Sequence, residues 1–141
     1  MSNELAEAVL DASILIQALV RERHTDAALR LLRALKAIYA PSLALYEAAN
    51  ALVILARRGF MGKEDAIRRL ERLRALPTLS LREVAYGRAI ELAIELGITL
   101  YDASYLALAI QTGAPLITAD WELYERGRSA AKVIHASEVS P

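Results

Sequence analysis

The chain has 141 residues, of which 55% are hydrophobic and 24% charged, with 17 basic residues against 17 acidic and no cysteine. That length buries a sizeable core and fits one domain spanning 1–141, and the composition excludes a disordered chain. Zero net charge argues against gripping nucleic acid through an overall basic field, while the lack of cysteine excludes disulfides and thiolate chemistry and suits a cytoplasmic protein.

Ala8 to Leu10 reads as a short buried strand, and Ser13 to Val20 as the helix that follows. Leucines at helical spacing with arginines between them predict a helix over Thr25 to Lys36. Ile38 to Ala40 is a second short strand, stopped by Pro41. Ser42 is placed to cap a long helix that runs to Arg58 and stops at Gly59. Lys63 to Leu76 is amphipathic, with Ile67, Leu70 and Leu73 expected inward and the arginines outward. Thr78 to Leu81 reads as a strand, Glu83 to Leu96 as a helix closed by Gly97, and Tyr101 to Thr112 as a helix ended by Gly113. Leu116 to Thr118, Trp121 to Arg126 and Val133 to His135 complete the order as strand, short helix and strand. The uncharged run from Ala103 to Ala119 is short for a bilayer span and is broken by Gln111, Thr112, Gly113 and Pro115, so no membrane segment is expected. MSNELAEAVL carries two glutamates and no basic run, and does not read as a signal peptide. Short apolar strands alternating with helices predict an α/β fold with a central parallel sheet covered on both faces.

Two segments, AVLDASILI and LYDASYLALAI, set an aspartate in an apolar run. An unpaired ionised carboxylate is costly to bury, so each needs a cap, a partner or a shared counter-charge. Asp11 directly follows the first strand, and Asp120 follows LIT by two residues. Glu47 lies in the helix after the strand ending at Pro41, and Asp102 opens the helix after Gly97. Ligands of open α/β sheets bind beyond the carboxyl ends of the strands. Glu47 is the lone charge in SLALYEAANALVILA, a helix apolar nearly all round, so its partner must come from outside the helix. Asn50, three residues on, shares its face. Plainer readings stay open, with Asp11, Asp102 and Asp120 as helix N-caps and Glu47 in a buried ion pair with an arginine. Four converging carboxylates would repel one another, and a divalent cation with oxygen-only ligands, Mg²⁺ or Mn²⁺, removes that problem.

VLDAS with Asp11, LALYEAANAL with Glu47 and Asn50, ELGITLYDASYLALA with Asp102, and LITAD with Thr118 and Asp120 stand in the order found in PIN-domain proteins. Over nearly its whole length the chain resembles those of the VapC toxin type. The resemblance implies a PIN-like, three-layer α/β/α fold and a metal-dependent endoribonuclease, usually a homodimer, held inactive by a small antitoxin. It also implies that Asp11 and Asp102 are direct metal ligands, with Asp120 and Glu47 completing the acidic site directly or through water. Ser13 and Thr118 would orient carboxylates or metal-bound water, and Asn50 would support Glu47. Mg²⁺ or Mn²⁺ would activate water and stabilise charge on the RNA phosphate.

Two further classes compete. An aspartate phosphotransfer domain also sets aspartates at strand ends, but the dehalogenase type wants a second aspartate where Ser13 stands. A receiver wants a late lysine, for which Lys132 is a loose candidate. A non-catalytic interaction module would use the acidic pocket to bind a partner's arginine. GFMGKE lacks the spacing and the Ser/Thr of a phosphate loop, and no Gly-x-Ser-x-Gly elbow is present. His24 and His135, without cysteine, make no zinc set and read as surface or strand-end residues. Seven basic residues against three acidic between Arg57 and Arg74 read as a solvated helix face rather than an RNA track. The six tyrosines, irregularly spaced, read mostly as core or edge residues, and Ser104 is left unexplained by the sequence.

Overall fold

The computed structural model describes residues 5–20 and 25–139, so the reading of His24 lies outside the described residues. Five strands, β1 (Glu7–Leu10), β2 (Ala37–Pro41), β3 (Leu79–Arg82), β4 (Leu116–Thr118) and β5 (Val133–His135), form one sheet in the order β3-β2-β1-β4-β5. Every pairing is parallel. The helices are α1 (Ala12–Leu19), α2 (Thr25–Ala34), α3 (Leu43–Arg57), α4 (Lys63–Arg74), α5 (Tyr86–Leu96), α6 (Leu100–Thr112) and α7 (Trp121–Gly127). Ala8, Val9 and Leu10 of β1 and all of β4 are buried without alternation, as happens only where helices cover both faces of a sheet. On one side α6 crosses β2, β1 and β4 with α5 packed against it; the remaining layer joins α1 to α2 and α3, and α3 to α4. The result is the expected α/β/α arrangement. No single helix among the described residues is long and apolar enough to cross a membrane.

The glycine stops act as the sequence indicates. Gly97 (φ 67°) and Gly113 (φ 75°) close α5 and α6 in the left-handed conformation that other residues avoid. Several expectations need correction. Helix α5 starts at Tyr86 rather than Glu83, because β3 stays paired through Arg82 with Pro41 and residues 83–85 must make the turn. Ser42 stands at the start of α3 without a side-chain cap bond, and only its carbonyl accepts, from the Leu45 N–H. On α4 Leu73 is buried, but Ile67 is 62% exposed rather than inward. Helix α3 is not buried all round, since Tyr46, Val53 and Ile54 face outward; Tyr86 and Tyr101 are likewise exposed rather than core.

Strand order fixes where a ligand belongs. From β1 the chain moves one way to β2 and β3, then returns to place β4 on the other side of β1. The crevice beyond the carboxyl ends of β1 and β4 is therefore the topological switch point of the sheet.

Candidate active site

The register that pairs Leu10 with Ile117 sets the next residue, Asp11, beside Thr118. Asp11 is only 5% exposed, and both its oxygens are engaged. Ser13 Oγ donates to Oδ1 and Thr118 Oγ1 donates to Oδ2, each at 2.5 Å, while the Ile14 N–H reaches Oδ1 at 3.4 Å as the N-cap bond of α1. The hydroxyls are themselves held, because Ser13 Oγ accepts from the Ala119 N–H and Thr118 Oγ1 from the Asp120 N–H, both at 3.0 Å. A backbone N–H can only donate, so each hydroxyl must spend its own proton on Asp11. This arrangement suits a carboxylate, yet burial outweighs it and, with Asp102 adding negative charge, lifts the carboxyl from 3.8 to about 6.

Glu47 finds a phenol where an arginine was the plainer expectation. Tyr105, buried on α6, donates to Glu47 Oε1 at 2.5 Å. Burial and this carboxylate together raise the Tyr105 hydroxyl far above its ordinary value, so it serves purely as a donor. Asn50 is exposed and makes no bond to Glu47. Asp102 is not a cap either. Thr99 caps α6 by accepting from the Asp102 N–H at 3.0 Å, which leaves the Asp102 carboxylate free for other work. Partial burial, then the charges of Asp120, Glu47 and Glu122, push its carboxyl upward. Asp120 does cap α7, with Oδ1 accepting from Glu122 and Leu123, and its second oxygen has no such bond.

The structure thus brings Asp102 within reach of the charges of Asp11, Glu47 and Asp120 near the switch point. None of them pairs with a lysine or arginine among the described residues. Nor is any group of three acids or histidines among those residues already drawn together at metal-holding distance. The donor set nevertheless fits a hard divalent ion, being all carboxylate oxygen and carrying the mutual repulsion that such an ion relieves.

Residues 8–129 match the PIN domain. The chain is a PIN-domain protein of the VapC type. It is 38% identical over 122 residues to Ribonuclease VapC3 of Pyrobaculum aerophilum, covering 84% of this chain and 92% of that one. The crystal structure of PAE2754 from Pyrobaculum aerophilum superposes with a TM-score of 0.70 at 31% identity, covering 94% and 92% of the two chains. A toxin–antitoxin complex from Klebsiella pneumoniae shares the fold at a TM-score of 0.61 and 23% identity, covering 94% of this chain and 99% of that chain.

In this PIN protein two features escaped the sequence reading. Tyr105 is one, although a tyrosine inside the apolar run of α6 must find a partner for its hydroxyl, and that signal was present. The other is His135, buried at the end of β5 and stacked on Trp121, with Nε2 donating to the Ala119 carbonyl at 3.1 Å. It braces the loop whose N–H groups hold Ser13 and Thr118. Nothing in the sequence brings those two rings together before the sheet does. Ser104 acquires a local explanation, since its hydroxyl donates to the Tyr101 carbonyl within α6 at 2.6 Å.

Proposed function

We propose that this PIN protein is an Mg²⁺- or Mn²⁺-dependent endoribonuclease and the toxin of a VapBC-type pair. The observation that carries the reading is the buried Asp11 at the switch point, within reach of Asp102, which in turn feels Asp120 and Glu47, with no basic side chain among the described residues paired to any of them. Asp11 and Asp102 would hold the ion, with Asp120 and Glu47 completing the set. Bound there, the ion supplies a counter-charge for the phosphate and lowers the pKa of water. The rest is the chain's own work. Ser13 and Thr118 stop the Asp11 carboxylate from turning, and Tyr105 fixes one oxygen of Glu47 while leaving the other free of side-chain bonds. The name of the Pyrobaculum relative supports RNA as substrate, and the Klebsiella complex supports an antitoxin partner.

The test is a gel of transfer, ribosomal and messenger RNA with wild type, Asp11→Asn and Asp102→Asn, in Mn²⁺ and in chelator. Cleavage is expected only from wild type with Mn²⁺, with each variant slowed on the order of 100-fold or more while circular dichroism shows the fold retained. Equal cleavage by the variants and wild type would sink the reading. A purely protein-binding module would also gain no thermal stability from Mn²⁺, whereas the metalloenzyme gains it.

A further inference from the structure

Trp121 is the sole tryptophan of the chain, and it sits beside Asp120 with 55% of its surface exposed. It is nonetheless held rigidly. One face lies flat on His135, with 3.5 Å between ring centroids and 10° between planes, and Tyr124 meets it edge-on at 5.5 Å. His135 cannot tilt away, because Nε2 donates to the Ala119 carbonyl while Nδ1 accepts from the Ser137 N–H at 3.1 Å. The exposed surface is therefore the opposite indole face and its edge. An aromatic ring fixed in this way loses little freedom when something stacks on it.

Trp121 and His135 together line one side of a groove of about 840 Å³, walled also by Ile14, Leu31 and Ala119, with Arg30 and Arg33 on its α2 side. Ala119 and Trp121, which line the groove, are the chain neighbours of Asp120, and the Ala119 N–H holds Ser13, while none of the four acids itself lines the groove. Phosphates approaching four carboxylates need attraction from elsewhere, and the two arginines offer it. A nucleobase needs a flat apolar surface, and Trp121 offers one whatever the base.

We propose that Trp121 is a stacking platform for one nucleobase of single-stranded RNA next to the cleaved phosphate, with Arg30 and Arg33 facing the strand's phosphates across the groove. The platform rests on the ribonuclease reading and adds to it the place where the strand is gripped. Trp121 positions substrate and takes no part in the reaction itself.

Because the chain has one tryptophan, its fluorescence reports on this site alone. The wild-type protein is titrated with a single-stranded RNA dodecamer in Ca²⁺, and in parallel with the same oligonucleotide made abasic throughout. RNA should quench the indole and the abasic strand should not. Trp121→Ala should bind fluorescently labelled RNA about tenfold more weakly, and should need about tenfold more RNA for half-maximal cleavage in Mn²⁺. Trp121→Phe, which keeps a ring, should recover most of that loss, and matching melting curves exclude misfolding. Equal quenching by the abasic strand overturns the platform. So does unchanged RNA affinity in Trp121→Ala while wild type still cleaves, which leaves the ribonuclease reading standing. Quenching by RNA without cleavage in Mn²⁺ does the reverse. Quenching by a leucine-rich amphipathic peptide and not by RNA also overturns the platform and assigns the groove to a protein.

Discussion

Asp11 binds its proton more tightly in the folded chain than in the unfolded one, since its carboxyl rises from 3.8 to about 6. A group raised in this way makes the metal-free fold less stable as pH climbs through that window, by up to about 3 kcal/mol at neutral pH. Asp102, also raised, acts in the same direction, whereas Asp65, lowered by Arg69, acts in the opposite one. Denaturation in chelator should therefore show wild type losing more stability between pH 5 and pH 7.5 than Asp11→Asn. A difference of zero would show that Asp11 ionises without cost. Much of this site was legible in sequence. Asp11 and Asp120 follow strands, and Ser13 and Thr118 lie within two residues of them. Glu47's partner was not, because a carboxylate in an apolar helix invites a search for cations, and Tyr105 answers it with a hydroxyl from α6. Asn50, expected to support Glu47, is exposed instead, since a shared helix face does not fix which side of that face meets the core.

Helix α6 carries Asp102, Asp120 caps α7, and the two helices touch where Gly127 meets Leu106. Gly127 makes that contact close. A methyl group added there would lie 2.7 Å from Leu106 Cδ2, whereas one added at Gly87 on α5 meets nothing within 4 Å. Gly127→Ala should therefore cost roughly 1–3 kcal/mol by overpacking, read as a lower melting temperature, and should slow cleavage by displacing Asp120. Gly87→Ala should be neutral or stabilise by up to about 1 kcal/mol. If both variants melt like wild type, α7 slides without consequence and the acids are not fixed by this contact. At this scale the sequence read well, because glycine stops, buried apolar triplets and helical spacing are local signals. The start of α5 and the exposure of Ile67 were misread, since each depends on which neighbour arrives: β3 pairing through Arg82, and nothing over that side of α4.

The whole molecule leaves an apolar stripe without a partner. Tyr86, Ile90 and Ile94 follow one another at four-residue spacing on α5 and are 80%, 48% and 77% exposed, and α3 adds Tyr46, Val53 and Ile54 at its surface. Single exposed apolar residues need no explanation, but a row along one helix marks a surface built to be covered. Net charge is zero, so no overall repulsion opposes the meeting of two copies. A stable dimer needs roughly 800 Å² from each partner, which calls for both helices rather than α5 alone. The homodimer that the family resemblance implies is therefore expected to form through α5 and α3, and Ile94→Arg should break it by burying an unpaired charge within it. Ile67→Arg, equally exposed but set among the arginines of α4, should leave it intact. Light scattering on a size-exclusion column across a concentration series separates these outcomes. Wild type should run as a dimer, Ile67→Arg with it, and Ile94→Arg as a monomer of unchanged helix content. A monomeric wild type at tens of micromolar, or a dimeric Ile94→Arg, would mean that the stripe is covered by something other than a second copy, and the antitoxin would then be the partner to test against it.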